Sequence, residues 1–133
     1  SFRGWFYSYV ADLKRMQGRP DLGLEIVERE LENVQQTEEG LSEEYLILQR
    51  GKLEAALGHI SLAIQGLEES IANARRIGSR LLELQSATAL AEIHLQEQRR
   101  HNAARVLEPI MSQFTDGLET PHLIAARSVL ARL

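Results

Sequence analysis

The step that carries Gly18 onto Gly58 lays this 133-residue chain on itself three times, and no other feature restricts its fold as strongly. Ala11, Gly51 and Ala91 coincide as small residues, and Gly18 and Gly58 coincide, with Gln98 at the third site. Gly23, Ala63 and Ala103 are again small. Large aliphatic residues follow at Val27, Leu67 and Leu107, then apolar ones at Leu31, Ile71 and Met111 and at Val34, Ala74 and Phe114. Apolar residues recur at intervals of three and four, which makes stripes on helices and not on strands. One small site per helix allows two helices to approach closely. The glycine between them ends the first helix in a left-handed turn. Each unit is therefore a helix–turn–helix pair that must stack on a neighbour to bury its apolar face.

The spacing predicts helices over 3–17, 20–36, 42–57, 60–77, 80–97 and 100–115. Pro20 suits a first-turn position, where its missing N–H costs nothing. Ser42, followed by Glu43 and Glu44, reads as an N-cap with acids in the first turn, and Gln36 to Glu44 reads as a polar connection. Pro109 falls inside the sixth helix and removes the partner of the Arg105 carbonyl, so a bend is expected there. At the C-terminal end, Thr120 can cap and Pro121 open a seventh helix. Leu123, Ile124, Val129, Leu130 and Leu133 would supply its apolar contacts, with Arg127 and Arg132 facing water and the helix capping the one at 100–115.

Composition narrows the function classes. A 44% apolar, 26% charged chain of this length is an ordinary globular one with a core and the size of a single domain. With no cysteine there is no disulfide, thiolate or Cys-type zinc chemistry, and no apolar run approaches a membrane span. These properties suit the cytoplasm. Because the chain opens on Ser1 and already reads as structured from Phe2, it is expected to be a piece cut from a longer protein. The net charge of −4 lies entirely in residues 1–66, which hold 7 Lys/Arg against 11 Asp/Glu; residues 67–133 hold 8 of each. An acidic half argues against nucleic acid as a partner. Arg75, Arg76 and Arg80, and Arg99, Arg100 and Arg105, lie near helix ends, where cations complement the dipole or are simply solvated.

No catalytic or cofactor constellation stands out, and neither a cofactor nor a metal is expected. His59, His94, His101 and His122 lack the spacing of a metal set, and His94 and His101 read as surface or interface residues. Glu38, Glu39, Glu43 and Glu44 read as a solvated acidic loop. A phosphate loop ending in Lys-Ser/Thr, a nucleophile elbow and H-E-x-x-H are all absent from the sequence.

The small–glycine–small–aliphatic order resembles the tetratricopeptide repeat, with units at about 4–37, 44–77 and 84–117 and a cap helix at about 120–133. Leu81 to Leu133 more narrowly resembles the C-terminal end of bacterial multidomain regulators. Those proteins join a class III adenylate/guanylate cyclase domain, or a LuxR- or winged-helix-type DNA-binding domain, to a STAND-type ATPase. The matching words are Leu82 to Ala91, Gln98 to Arg100 and Phe114 to Leu123. The resemblance implies an all-α, right-handed α-solenoid of about three helix pairs plus the cap helix. It further implies a non-catalytic module that binds a protein, a peptide or another domain of its own chain. The implied groove positions are Trp5, Ser8, Asp12 and Arg15, then Tyr45, Leu48 and Lys52, then Gln85, Thr88 and Glu92. Trp5, Tyr45 and Arg15 are the residue types that most often dominate binding, with packing between repeats as the alternative for Trp5 and Tyr45. A structural role, in which the repeats self-associate and set the assembly state of a parent protein, is the second expectation.

Overall fold

The left-handed turns that punctuate the repeat set the helix lengths. The computed structural model describes the backbone of residues 2–37, 40–114 and 120–133, and the side chains of 6–32, 43–114 and 120–133. Among these residues the fold is all-α, with seven helices in sequence: α1 (Phe2–Met16), α2 (Pro20–Thr37), α3 (Gly40–Ala56), α4 (Ile60–Ile77), α5 (Arg80–Gln96), α6 (Arg100–Met111) and α7 (Pro121–Ala131). At Gly18, Gly58, Gly78 and Gln98 φ is positive, at 78°, 85°, 75° and 60°. Each of these residues donates its N–H to the carbonyl three residues back, at 3.1 Å to Arg15, 3.0 Å to Ala55, 3.3 Å to Arg75 and 3.0 Å to Leu95. The following N–H donates to the carbonyl five residues back, at 2.8 Å to Lys14, 2.8 Å to Glu54, 2.9 Å to Ala74 and 2.7 Å to His94. The paired bonds satisfy carbonyls that a helix end leaves without partners.

Gly78 and Ser79 escape a comparison at the full period, yet they form the same turn as the others. Ser79 caps α5, its Oγ accepting from the Leu82 N–H at 3.2 Å. With this turn included the module is half as long as the repeat. Helices α2 to α7 begin at Pro20, Gly40, Ile60, Arg80, Arg100 and Pro121, a near-constant step of half a period. Two boundaries differ from expectation. Helix α3 begins at Gly40, so Ser42 lies inside its first turn and is no cap; the Gln and Glu of that stretch are polar but favour helix. Helix α6 stops at Met111, two residues after Pro109, and not at 115.

The chain forms two compact units, residues 1–70 and 71–133. In the first, α1, α2 and α3 all pack against one another. Their shared core holds Ala11, Val27, Leu31, Leu46, Ile47 and Leu53. The small sites decide how close the helices come. A Cβ on Gly23 would sit 2.9 Å from the Ala11 carbonyl oxygen and 2.7 Å from Leu53 Cδ2, and one on Gly51 would sit 2.8 Å from Leu67 Cγ. In the second unit, α5, α6 and α7 pack together, α5 against both of the others and α6 against α7. Leu82, Leu84, Leu90, Leu107 and Ile110 are buried there. Burying each such side chain is worth roughly 1.5–3 kcal/mol.

Helix α7 is capped as its sequence suggests, with Thr120 Oγ1 accepting from the Leu123 N–H at 3.2 Å and Pro121 in the first turn. It buries Leu123, Ala126 and Val129 and packs against α5 as well as α6. Ile124, expected among its apolar contacts, is exposed instead.

Candidate interaction surface

One carboxylate organises the surface of the first unit. Asp12 and Arg15 stand one turn apart on α1, and Arg15 donates to Asp12 Oδ1 from Nε at 3.1 Å and from Nη2 at 2.8 Å. Lys52 on α3 donates to the same oxygen from 3.2 Å. All three side chains are partly open, with 26–30% of each exposed. Two cations on one carboxylate leave a local positive excess. Burial pushes Asp12 up, but Lys52 and Arg15 outweigh it and hold the carboxyl below its ordinary value. Burial lowers Lys52, and the charge of Arg15 lowers it further against the pull of Asp12. The lysine is thus short of negative charge where it sits.

Tyr45 lies two turns before Lys52 on the same side of α3 and is half-buried. Ser8 and Leu48, one turn before Asp12 and Lys52, are buried. They therefore do not line an open surface, contrary to the sequence expectation. The helices touch along that face, and residues a turn below the ion cluster are enclosed by the chain itself. The Trp5 side chain lies outside the described residues. Of the positions expected from α1 and α3, the structure brings Asp12, Arg15 and Lys52 together at one partly open edge, and Tyr45 stays two turns away from Lys52.

In the second unit the equivalent stripe is engaged by α7. Glu92 accepts from Arg132 Nη2 at 2.7 Å, and Gln85 Nε2 lies 3.4 Å from His122 Nδ1. Thr88 Oγ1 donates to the Leu84 carbonyl of its own helix at 2.7 Å. Helix α7 stands to α5 as α3 stands to α1, each two helices on. Both pairs are bridged by an ion pair between residues one full period apart, Asp12–Lys52 and Glu92–Arg132. Sequence reasoning missed this bridge. Its signal was present, because residues 12, 52, 92 and 132 read Asp, Lys, Glu, Arg with alternating sign.

Other side chains also differ from expectation. Of the surface or interface readings for His94, burial excludes the first, and Glu44 is helical and buried and not a solvated loop residue; Glu38 and Glu39 lie outside the described residues. His59 Nδ1 sits 2.6 Å from Glu54 Oε2 in an exposed contact. Of the arginine clusters, Arg75 donates to Glu83 from Nε at 3.0 Å, while Arg100 opens α6, where it does not complement the dipole, and reaches the Leu133 carbonyl at 3.3 Å. Among the described residues no three His, Asp or Glu side chains gather in a metal-holding group, and no helix is long and apolar enough to cross a membrane. No family model, curated protein or solved structure matches the chain.

Proposed function

We propose that this chain is a non-catalytic interaction module of tetratricopeptide type, a right-handed α-solenoid that recognises a protein, a peptide or another domain of its own polypeptide. Its setting would be the regulatory C-terminal part of a bacterial, cytoplasmic signalling or transcription-regulating protein that carries ATPase or cyclase-like domains elsewhere. The observation that carries the reading is the Asp12–Arg15–Lys52 cluster. It combines a planar guanidinium and a desolvated ammonium with one positive charge in excess, and a half-buried tyrosine, Tyr45, lies two turns away along α3. An acidic group on an extended or helical partner is the natural complement. The equal sequence separation of the two inter-helix ion pairs supports the repeat reading.

The test is selection of a random peptide library displayed on phage against the purified chain. Enriched peptides are expected to carry Asp or Glu and to bind with micromolar affinity. Lys52→Ala with Tyr45→Ala should weaken them by at least about tenfold, roughly 1.4 kcal/mol, and Trp5→Ala with Tyr45→Ala should also weaken capture. Circular dichroism should show unchanged helicity in both. Equal binding by the double variants would remove the site assignment.

A further inference from the structure

The two inter-helix bridges are chemically unlike. In the second unit Glu92 meets a guanidinium, Arg132, at 2.7 Å, and Leu95 stands in the place that Arg15 takes beside Asp12. In the first unit Asp12 meets an amine, Lys52, and a second cation as well. The amine runs against the habit of the sequence, where of 15 Lys and Arg residues only Lys14 and Lys52 are lysine. A guanidinium stays protonated, whereas an amine that gives up its proton attacks carbonyl carbon.

Three features prepare Lys52 for that step. Its side chain is 26% exposed, which leaves it open to a small reagent. Its Nζ is held 3.2 Å from Asp12 Oδ1, the oxygen that Arg15 meets at 2.8 Å and 3.1 Å, so ammonium and guanidinium are fixed side by side. Burial first, and then the charge of Arg15, draw the lysine below its ordinary value against the pull of Asp12, which enlarges its neutral fraction. Arg15 donates to Asp12 through Nε and Nη2, and its remaining N–H groups can take phosphate oxygens.

We infer that Lys52 is a modification site, acylated at Nζ in preference to Lys14 by small acyl phosphates such as acetyl phosphate. The ammonium first loses a proton to water. The neutral amine then attacks the carbonyl carbon, the N–C bond forms, and the bond from that carbon to the bridging oxygen breaks. Phosphate leaves with the electron pair of that bond and takes one amine proton, so amine and acyl phosphate become amide and hydrogen phosphate. The amide N–H can still donate to Asp12, and Arg15 keeps both of its bonds, so the contact between α1 and α3 survives. What disappears is the single positive charge in excess. Acylation thus switches off recognition of an acidic partner, a consequence that rests on the proposed function, whereas the modification itself does not.

The test incubates the purified chain with acetyl phosphate and follows acetylation of each lysine by peptide mass. Lys52 should react at least about fivefold faster than Lys14. Arg15→Gln should slow Lys52 by removing the cation that favours the neutral amine, and Asp12→Asn should speed it by removing the charge that holds the proton. Circular dichroism checks that both variants stay helical. Equal rates at Lys14 and Lys52 would overturn the assignment. So would faster reaction of Lys52 in both variants, the result that loosening of the helices would produce. Acidic peptides selected on the chain should bind the acetylated chain and Lys52→Gln at least about tenfold more weakly, and Lys52→Arg nearly as before. Undiminished binding to the acetylated chain would overturn the switch. Preferential acetylation of a chain that selects no acidic peptide would uphold the modification site and refute the proposed function alone.

Discussion

Alanine at Gly23 sets backbone entropy against packing, and the distances decide the outcome. A glycine inside a helix costs up to about 1 kcal/mol relative to alanine, so the substitution should help if space allows. Space does not allow it. The new Cβ would stand 2.9 Å from the Ala11 carbonyl oxygen and 2.7 Å from Leu53 Cδ2. Leu53 is fully buried and the carbonyl is backbone, so neither retreats without moving α1 away from α2. Overpacking of this kind costs about 1–3 kcal/mol, leaving Gly23→Ala destabilised by about 1 kcal/mol net. Gly66 provides the control within the same unit. A Cβ there meets only the Gly51 Cα, at 3.8 Å, an ordinary contact. Gly66→Ala should therefore stabilise by up to about 1 kcal/mol. Urea unfolding followed by circular dichroism should separate the two variants by about 2 kcal/mol at constant slope. A midpoint that rises for Gly23→Ala as much as for Gly66→Ala would refute the close approach of α1 and α2.

Gln98→Gly should stabilise by about 0.5–1 kcal/mol by relieving a left-handed side chain, while Gly58→Ala should destabilise by a similar amount although nothing lies within 4 Å of its Cβ; urea midpoints test both. Asp12 has a lowered folded pKa, so its contribution is present above the unfolded carboxylate range and is lost as pH falls through the folded value. Lys52 is also lowered, so stability should rise as pH climbs from its folded pKa toward the ordinary 10.5. Urea midpoints across pH should show Asp12→Asn flattening the acid limb and Lys52→Met the alkaline one. Deleting 119–133 removes the buried Leu123, Ala126 and Val129 and the Glu92–Arg132 pair, and should destabilise residues 71–114 by several kcal/mol, at about 1.5–3 kcal/mol for each large side chain. A truncated chain with an unchanged urea midpoint and no light-scattering aggregate would disprove the capping role of α7.

The helices were legible because their signals are local. Pro20, Pro121 and Thr120 act through their own backbone, and the glycine turns need only the residue that tolerates left-handed φ. Gly78 was missed because a search at the full period compares it with Glu38 and Leu118, neither of them small, whereas half a period from Gly58 reaches it directly. The surface was less legible, since whether a residue on a helix stripe is open depends on what packs there. Ser8 and Asp12 share a face of α1, and the approach of α3 encloses one while leaving the other partly open. In the same way Gln85 and Glu92 read as free groove residues until His122 meets the Gln85 amide nitrogen and Arg132 the Glu92 carboxylate.

The alternating charges at residues 12, 52, 92 and 132 bear on how such a chain tolerates gain or loss of its parts. Removing one whole period, 41–80 for example, preserves the order of helices and turns and would pass a test based on periodicity alone. It would also set Asp12 opposite Glu92, two carboxylates where the intact order brings a carboxylate to an ammonium. Removing two periods, 41–120, would restore a pairing of opposite sign, Asp12 with Arg132. The ion pairs thus act as a parity check on the array: they do little to say how many units there are, but they distinguish odd from even.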